Sequence, residues 1–165
     1  MNRPDSARTL VIGIGNAYRS DDRVGLDVAR AVRAEVVPGV EVLEQSGEGA
    51  SLLESWQDAG EAIIIDAVSS GAPPGTIRRF ELPRDTMPVQ FFHYSTHAFS
   101  LAEAIELARA LDLLPPRLVV YGIEGADFRS GEGLSPDVIR SAEEVAREIL
   151  LDLRTERAYA NQGAD

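Results

Sequence analysis

The chain has no cysteine among its 165 residues. It therefore forms no disulfide and no thiolate zinc site, and it offers no cysteine nucleophile for catalysis. Its apolar runs fall far short of the ~20 residues that a membrane-spanning helix needs. The first residues, Met1–Arg8, are polar and lack the apolar core of a signal peptide. We therefore expect a cytoplasmic protein that does not insert into a membrane.

Positive charge is also scarce. Lys and Arg number 16 against 27 Asp and Glu, which gives a formal net charge of −11. A nucleic-acid partner requires a basic face, so we expect none; the acidity is typical of solvated helix faces. The length suits one domain. We predict a loose tail over residues 1–8, a single domain over 9–154 and a frayed tail over 155–165.

Short apolar runs alternate with helical periodicities along the chain, which is typical of the α/β class. Predicted strands cover residues 9–15, 40–43, 61–68, 76–82 and 118–123. The run Ile63–Ile65 predicts a central strand buried on both faces, and the pair Arg78 and Arg79 predicts an edge strand. We expect a twisted, mostly parallel sheet of about five strands with helices on both faces, of the phosphorylase/hydrolase-like kind.

The predicted helices cover roughly residues 22–36, 50–59, 97–114 and 135–154. Ser135 and Pro136 are typical of an N-cap and a first helical position. Three of these helices carry an apolar stripe that should pack on the sheet. The stripes are Val24, Val28, Val32 and Val36 in the first helix, Leu101, Ile105, Ala108 and Leu111 in the third, and Val138, Ala142, Val145, Ile149 and Leu153 in the last.

The first predicted strand runs directly into a glycine-containing loop and an acidic helix start. Gly13 and Gly15 let the backbone turn sharply and let a ligand approach, and Asn16 is a common turn residue. Asp21 and Asp22 follow where the helix begins. In open α/β sheets, ligands bind in the crevice at the carboxyl ends of the strands. This loop therefore predicts one wall of a binding site.

Three candidate site residues follow strands or begin helices: Asp22, Asp66 and His97. Asp66 is the strongest of them, because an ionised carboxylate at the end of an isoleucine-rich strand is unfavourable unless it is paired or used. Two carboxylates and one imidazole also form a suitable ligand set for a divalent metal such as nickel or zinc. Their spacing, however, matches no local zinc motif.

Each candidate also has a purely structural interpretation. Asp66 would serve equally well as a cap or a loop brace, and acidic residues such as Asp21 and Asp22 are favoured in the first turn of a helix. His97 is also placed to begin a helix, where the dipole lowers its pKa. We interpret His93 as a loop residue and Glu124 as an acceptor for loop amides.

A dinucleotide site fits the first loop poorly. The Gly-x-Gly-x-x-Gly fingerprint requires a third glycine where this chain has Tyr18. Glu44 is correctly placed for a ribose contact, but Asp21 and Asp22 would repel a pyrophosphate at the helix start.

Several motifs, in order along the chain, resemble the hydrogenase maturation proteases of [NiFe] hydrogenases. The resemblance covers residues 9–150. It is carried by Gly13-Ile14-Gly15-Asn16 with Asp21, Asp22 and Gly25, by Ile65-Asp66-Ala67-Val68 with Pro73-Pro74-Gly75-Thr76, by Ser95-Thr96-His97 with Leu101, and by Gly122-Ile123-Glu124 with Gly133-Leu134-Ser135-Pro136.

This resemblance implies an aspartyl-type endopeptidase that removes the C-terminal extension of a hydrogenase large-subunit precursor after nickel insertion. It implies that Asp22, Asp66 and His97 are the catalytic and metal-contacting residues, and that the nickel belongs to the substrate. Peptidyl-tRNA hydrolase is an alternative of similar architecture, but in that family proline follows the asparagine, and Ala17 follows Asn16 here. A non-catalytic scaffold and a nucleotide-binding domain remain further alternatives.

The residues themselves are compatible with water-based hydrolysis. The chain has no Gly-x-Ser-x-Gly nucleophile elbow and no cysteine. Peptide cleavage would therefore use an activated water, which either a metal or a carboxylate base can supply. We expect Asp22, Asp66 and His97 to converge on nickel, with one aspartate assisting the water.

Overall fold

A computed structural model describes residues 8–88 and 100–162. In these ranges the chain forms five strands, four α-helices and one 3₁₀ turn. The strands are β1 (Arg8–Ile14), β2 (Val40–Gln45), β3 (Ala59–Val68), β4 (Ile77–Leu82) and β5 (Arg117–Glu124). The helices are α1 (Val24–Ala34), α2 (Gly49–Trp56), α3 (Leu101–Ala110) and α4 (Pro136–Gln162), and the 3₁₀ turn is Ser20–Arg23.

The strands form one mixed sheet in the order β2-β1-β3-β5-β4. Three neighbouring pairs are parallel, and β4 pairs antiparallel with β5 at the edge. The predicted α/β class, the central position of the Ile63–Ile65 strand and the edge position of the fourth strand are therefore confirmed. We call the edge at which the parallel strands end the carboxyl edge, and the opposite one the amino edge.

Helices cover both faces of the sheet, as predicted. Leu52 and Trp56 of α2 and Ile105 of α3 pack with Leu10 and Ile64 on one face. On the other face, helices α1 and α4 pack together over the sheet through a second cluster, which includes Val28, Val32, Val145, Ile149 and Leu153. No helix in the described ranges is both long and apolar enough to cross a membrane.

Several predicted helix boundaries differ from the structure; α2, for example, ends at Trp56, and Ala59 already belongs to β3. Helix α1 ends at Ala34, so Val36 leaves the stripe; it adopts a left-handed φ of 47° and is 79% exposed. Leu111 follows the end of α3 and is 55% exposed. Helix α4 continues to Gln162 instead of fraying near 155. In α1 and α3, the apolar periodicity of the sequence continues beyond the last helical residue.

The start of α3 is also later than predicted. The helix begins at Leu101, because Ser100 and Glu103 form a capping box in which the Ser100 amide donates to the Glu103 carboxylate at 3.1 Å. His93 and His97 lie outside the described residues.

Candidate active site

Asp22 and Asp66 are carried by neighbouring elements at the carboxyl edge. Asp22 lies in the 3₁₀ turn that follows β1. Asp66 lies two residues inside β3, opposite Gly122 of β5, and not at the last position of its strand. Because β1 and β3 are parallel neighbours and Gly13 pairs with Ile65, the end of β1 lies beside Asp66.

A close backbone contact brings the Asp22 turn towards Asp66. Gly25, in the first turn of α1, packs between the carbonyl oxygens of Ile14 and Ile65. A Cβ atom at this position would lie 2.3 Å from the first oxygen and 2.4 Å from the second. Only glycine permits this approach. The first turn of α1 therefore packs directly against the carboxyl ends of β1 and β3.

The two carboxylates interact electrostatically. Burial raises the pKa of Asp66 well above its usual range, and the negative charge of Asp22 raises it further, whereas the Ala67 amide lowers it. Burial also raises the pKa of Asp22, against the positive charge of Arg19 and a hydrogen bond from the Asn16 amide. Two acidic groups in this relation share a proton or a cation readily.

Such a pair supports two kinds of chemistry. A carboxyl group whose pKa is raised by burial and by a neighbouring acid is suited to general acid–base catalysis. Carboxylate oxygens are also ligands for divalent metals. Within residues 8–88 and 100–162, no three carboxylate or imidazole groups converge on one metal position. The third member of the predicted set, His97, lies outside these ranges, so the complete set stays a prediction.

Helix α3 begins shortly after His97 in the sequence, and its start lies towards the same edge of the sheet. Helix α3 is followed closely by Arg117, at the amino end of β5. Because that connection is short, α3 must run from the carboxyl edge to the amino edge. Ser100, which is buried at the start of α3, therefore lies towards the edge that carries Asp22 and Asp66.

Two other carboxylates at this edge have structural roles. Glu124 accepts hydrogen bonds from the Ser70 amide at 2.8 Å, the Ser70 hydroxyl at 2.7 Å and the Gly71 amide at 3.1 Å. The prediction that it binds loop amides is confirmed. Asp21 is fully buried and accepts four hydrogen bonds from residues 126, 127 and 135. These bonds lower its pKa although burial opposes them.

Sequence reasoning grouped Asp21 with Asp22 and missed this difference. The partners of Asp21 lie 105 to 114 residues away along the chain, so no local pattern indicates them. The role of Asn16 was easier to predict: its side-chain oxygen accepts from the Tyr18 amide at 2.9 Å, which closes a tight turn.

Comparison with known proteins identifies the family. The family model for hydrogenase maturation proteases matches residues 11–152. The chain belongs to the hydrogenase maturation protease family. Hydrogenase 2 maturation protease of Escherichia coli K12 is 29% identical over 151 residues, which are 89% of this chain and 91% of that protein. The family and this relative are named as maturation proteases, so the chain is an endopeptidase, a hydrolase.

Other relatives of the protease extend the same comparison. Hydrogenase expression/formation protein HupD of Bradyrhizobium diazoefficiens is 31% identical over 137 residues, which are 79% of this chain and 70% of that protein. The chain spans 66% of the length of HupD from Thiocapsa roseopersicina, to which it is 29% identical.

Solved structures of similar proteins share the fold of the protease. The solution structure of an endopeptidase from Escherichia coli superposes with a TM-score of 0.77 at 27% identity and covers 90% of this chain and 93% of that one. The hydrogenase maturating endopeptidase HybD from Escherichia coli has a TM-score of 0.75 at 24% identity, with the same coverage.

Proposed function

We propose that this protease removes the C-terminal extension from the large-subunit precursor of a [NiFe] hydrogenase after nickel has been inserted. The observation that carries the proposal is the Asp22–Asp66 pair at the carboxyl edge, in a chain that belongs to the maturation protease family. The nickel is part of the substrate in this proposal. The protease contacts it with Asp22, Asp66 and His97.

The electrostatics of the pair suit a cation that arrives with the substrate. Without a cation, the negative charge of Asp22 disfavours ionisation of Asp66. An arriving divalent ion reverses this preference, because a nearby positive charge stabilises both carboxylates. The site therefore discriminates between precursors that carry nickel and precursors that do not. A metal ion held by three protein ligands would also keep coordination positions open for other ligands, as in catalytic metal sites.

Cleavage itself requires one water molecule and one base. In the proposed reaction, a carboxylate of the pair accepts a proton as the water oxygen attacks the carbonyl carbon of the scissile peptide bond. The same group then returns the proton to the leaving nitrogen as the C–N bond breaks. The products are a new carboxyl terminus and the released extension.

The test is incubation of the protease with a nickel-loaded precursor, followed by gel analysis of the large subunit. We expect Asp66→Asn to lower cleavage by a factor on the order of 10² or more, because the near-isosteric amide neither accepts a proton nor carries charge. His97→Ala should do likewise, because an imidazole ligand is lost. Cleavage by Asp66→Asn at the wild-type rate would contradict the site.

Matched controls distinguish a loss of catalysis from a loss of folding. His93→Ala should leave cleavage nearly intact. Asp152→Asn removes a carboxylate from the amino edge, where its side chain is 42% exposed, and should also leave cleavage intact. Thermal melts of each variant accompany the assay. If cleavage is lost while the melting temperature is unchanged, Asp66 has a functional role and is not a loop brace.

A further inference from the structure

Asp21 joins two segments that are far apart in the sequence. Its Oδ2 atom accepts hydrogen bonds from the amides of Ala126 and Asp127 at 2.8 and 2.9 Å and from the Ser135 hydroxyl at 2.8 Å. Its Oδ1 atom accepts from the Ser135 amide at 2.7 Å. We call Asp21 together with these three partner residues the Asp21 clasp. The clasp attaches the 3₁₀ turn to the connection between β5 and α4.

Backbone hydrogen bonds reinforce the clasp on both sides. The Asp21 amide donates to the Asp127 carbonyl at 2.9 Å, the Ser20 amide donates to the Gly131 carbonyl at 3.0 Å, and the Gly131 amide donates to the Tyr18 carbonyl at 2.9 Å. Ser20 has a left-handed φ of 51°, a conformation that a non-glycine residue keeps only where its surroundings enforce it. The turn is therefore held in one conformation by distant residues.

The geometry of a 3₁₀ turn links this clasp to Asp22. Consecutive side chains in such a turn point about 120° apart, because it has about three residues per turn. With Asp21 directed into the connection over residues 126–135, Asp22 is directed elsewhere. The clasp therefore sets the direction of the Asp22 side chain.

We propose that Asp21 is a positioning residue of the protease, whose clasp holds Asp22 in place beside Asp66. This inference rests on the proposed function of the Asp22–Asp66 pair. Asp21 contacts neither substrate nor metal in this proposal. It acts only through the turn that carries Asp22, so its loss should lower kcat more than it changes KM.

Asp21→Asn is the most direct test of the Asp21 clasp. Asparagine has the same shape, but one of its two terminal atoms is an NH₂ group, which donates and does not accept. At least one clasp donor, such as the Ser135 amide, then meets another donor. The matched control is Glu124→Gln, because Glu124 is also a buried carboxylate that holds loop amides at the carboxyl edge. The control disturbs a different loop, residues 69–71.

The experiment measures cleavage of a nickel-loaded precursor and amide hydrogen exchange at a temperature where every variant is folded. In Asp21→Asn we expect kcat to fall by about tenfold or more, with KM changed by less than about threefold, since small misplacements of a catalytic group are costly. We also expect faster exchange at the Asp22 amide, which donates to the Arg19 carbonyl at 3.1 Å. Glu124→Gln should lower the melting temperature without either effect.

A second variant keeps the test decisive if Asp21→Asn does not fold. Ser135→Ala removes one donor of the clasp and leaves the backbone bonds, so kcat should fall about two- to fivefold, with faster exchange at Asp22. Wild-type kcat and wild-type exchange in a folded clasp variant would overturn the inference. An equal loss of kcat in Glu124→Gln would overturn it as well.

The design also distinguishes the failure of the two proposals. If wild-type protein does not cleave the precursor, the proposed function fails, and hydrogen exchange alone then decides whether the clasp orders the Asp22 turn. If the wild type cleaves and Asp66→Asn does not, the function holds, and the kinetics of Asp21→Asn decide the positioning role.

Discussion

The two edges of the sheet differ in the partners of their clustered carboxylates. At the amino edge, Arg117 at the start of β5 forms ion pairs with Glu61, with Glu81 at 3.1 Å and with Glu156 at 2.7 Å. At the carboxyl edge, burial and the negative charge of Asp22 raise the pKa of Asp66, and the Ala67 amide opposes this shift. The acids of the first cluster share one central arginine, whereas Asp66 lies in the electrostatic field of another acid.

This difference separates stability from function. Partly buried acids that are paired with an arginine contribute to folding, and breaking the pair is strongly unfavourable. A buried acid whose pKa is raised opposes folding when it ionises, and such groups are common at active sites. The amino edge therefore stabilises the sheet. In the proposed function, the carboxyl edge receives a positive charge with the substrate.

The largest effect is expected at the amino edge. Arg117→Leu leaves Glu61 and its neighbouring acids without their central cation, so we expect the free energy of unfolding to fall by about 3–5 kcal/mol. The folded fraction should still cleave the precursor normally. Chemical denaturation measures the first result, and kcat per folded molecule measures the second.

Asp152→Asn is the control for this variant. Asp152 lies 3.8 Å from Arg117, and its side chain is 42% exposed, so we expect a change within about 0.5 kcal/mol. A loss of stability from Asp152→Asn as large as that from Arg117→Leu would mean that total charge, and not the central arginine, maintains this edge.

A smaller effect concerns pH at the amino edge. Burial and the charge of Glu156 raise the pKa of Glu61 to about 7, although Arg117 opposes the shift. The folded state thus holds a proton that the unfolded state releases, so this contribution to stability is present at low pH and is lost as pH rises towards 7. Glu61→Gln should gain about 2 kcal/mol relative to wild type between pH 4.5 and 7.5. Parallel stability curves for the two proteins would contradict this.

The smallest effect is expected at the carboxyl edge. Because burial and Asp22 raise the pKa of Asp66, wild-type stability should fall as pH rises above the usual range of an aspartate. Asp66→Asn should therefore match wild type near pH 4 and exceed it at higher pH, by on the order of 1 kcal/mol. Thermal melts across pH measure this. If Asp66→Asn is less stable than wild type at every pH, Asp66 stabilises a loop instead.

Most of the fold was predictable because its signals are local. The Ile63–Ile65 run indicated the central strand, the Arg78 and Arg79 pair indicated the edge, and the strand–helix alternation indicated the α/β class. Helix ends were less predictable. Val36 continues the valine periodicity perfectly, yet the chain has already turned at that position into a left-handed conformation.

The site was predictable only in part. The end of a buried strand indicated Asp66, and the resemblance to the protease family indicated Asp22. Nothing near Asp21 distinguishes it from Asp22, because its donors come from a connection more than a hundred residues later. The proximity of Asp22 to Asp66 likewise depends on the packing of α1 against two strands, which periodicity does not report.

Gly25 makes the spacing at this site depend on the absence of one side chain. The spacing between the Asp22 turn and β3 is set by main-chain atoms in direct contact, with no side chain between them. A single methyl group at position 25 would meet both carbonyl oxygens and separate the Asp22 turn from β3.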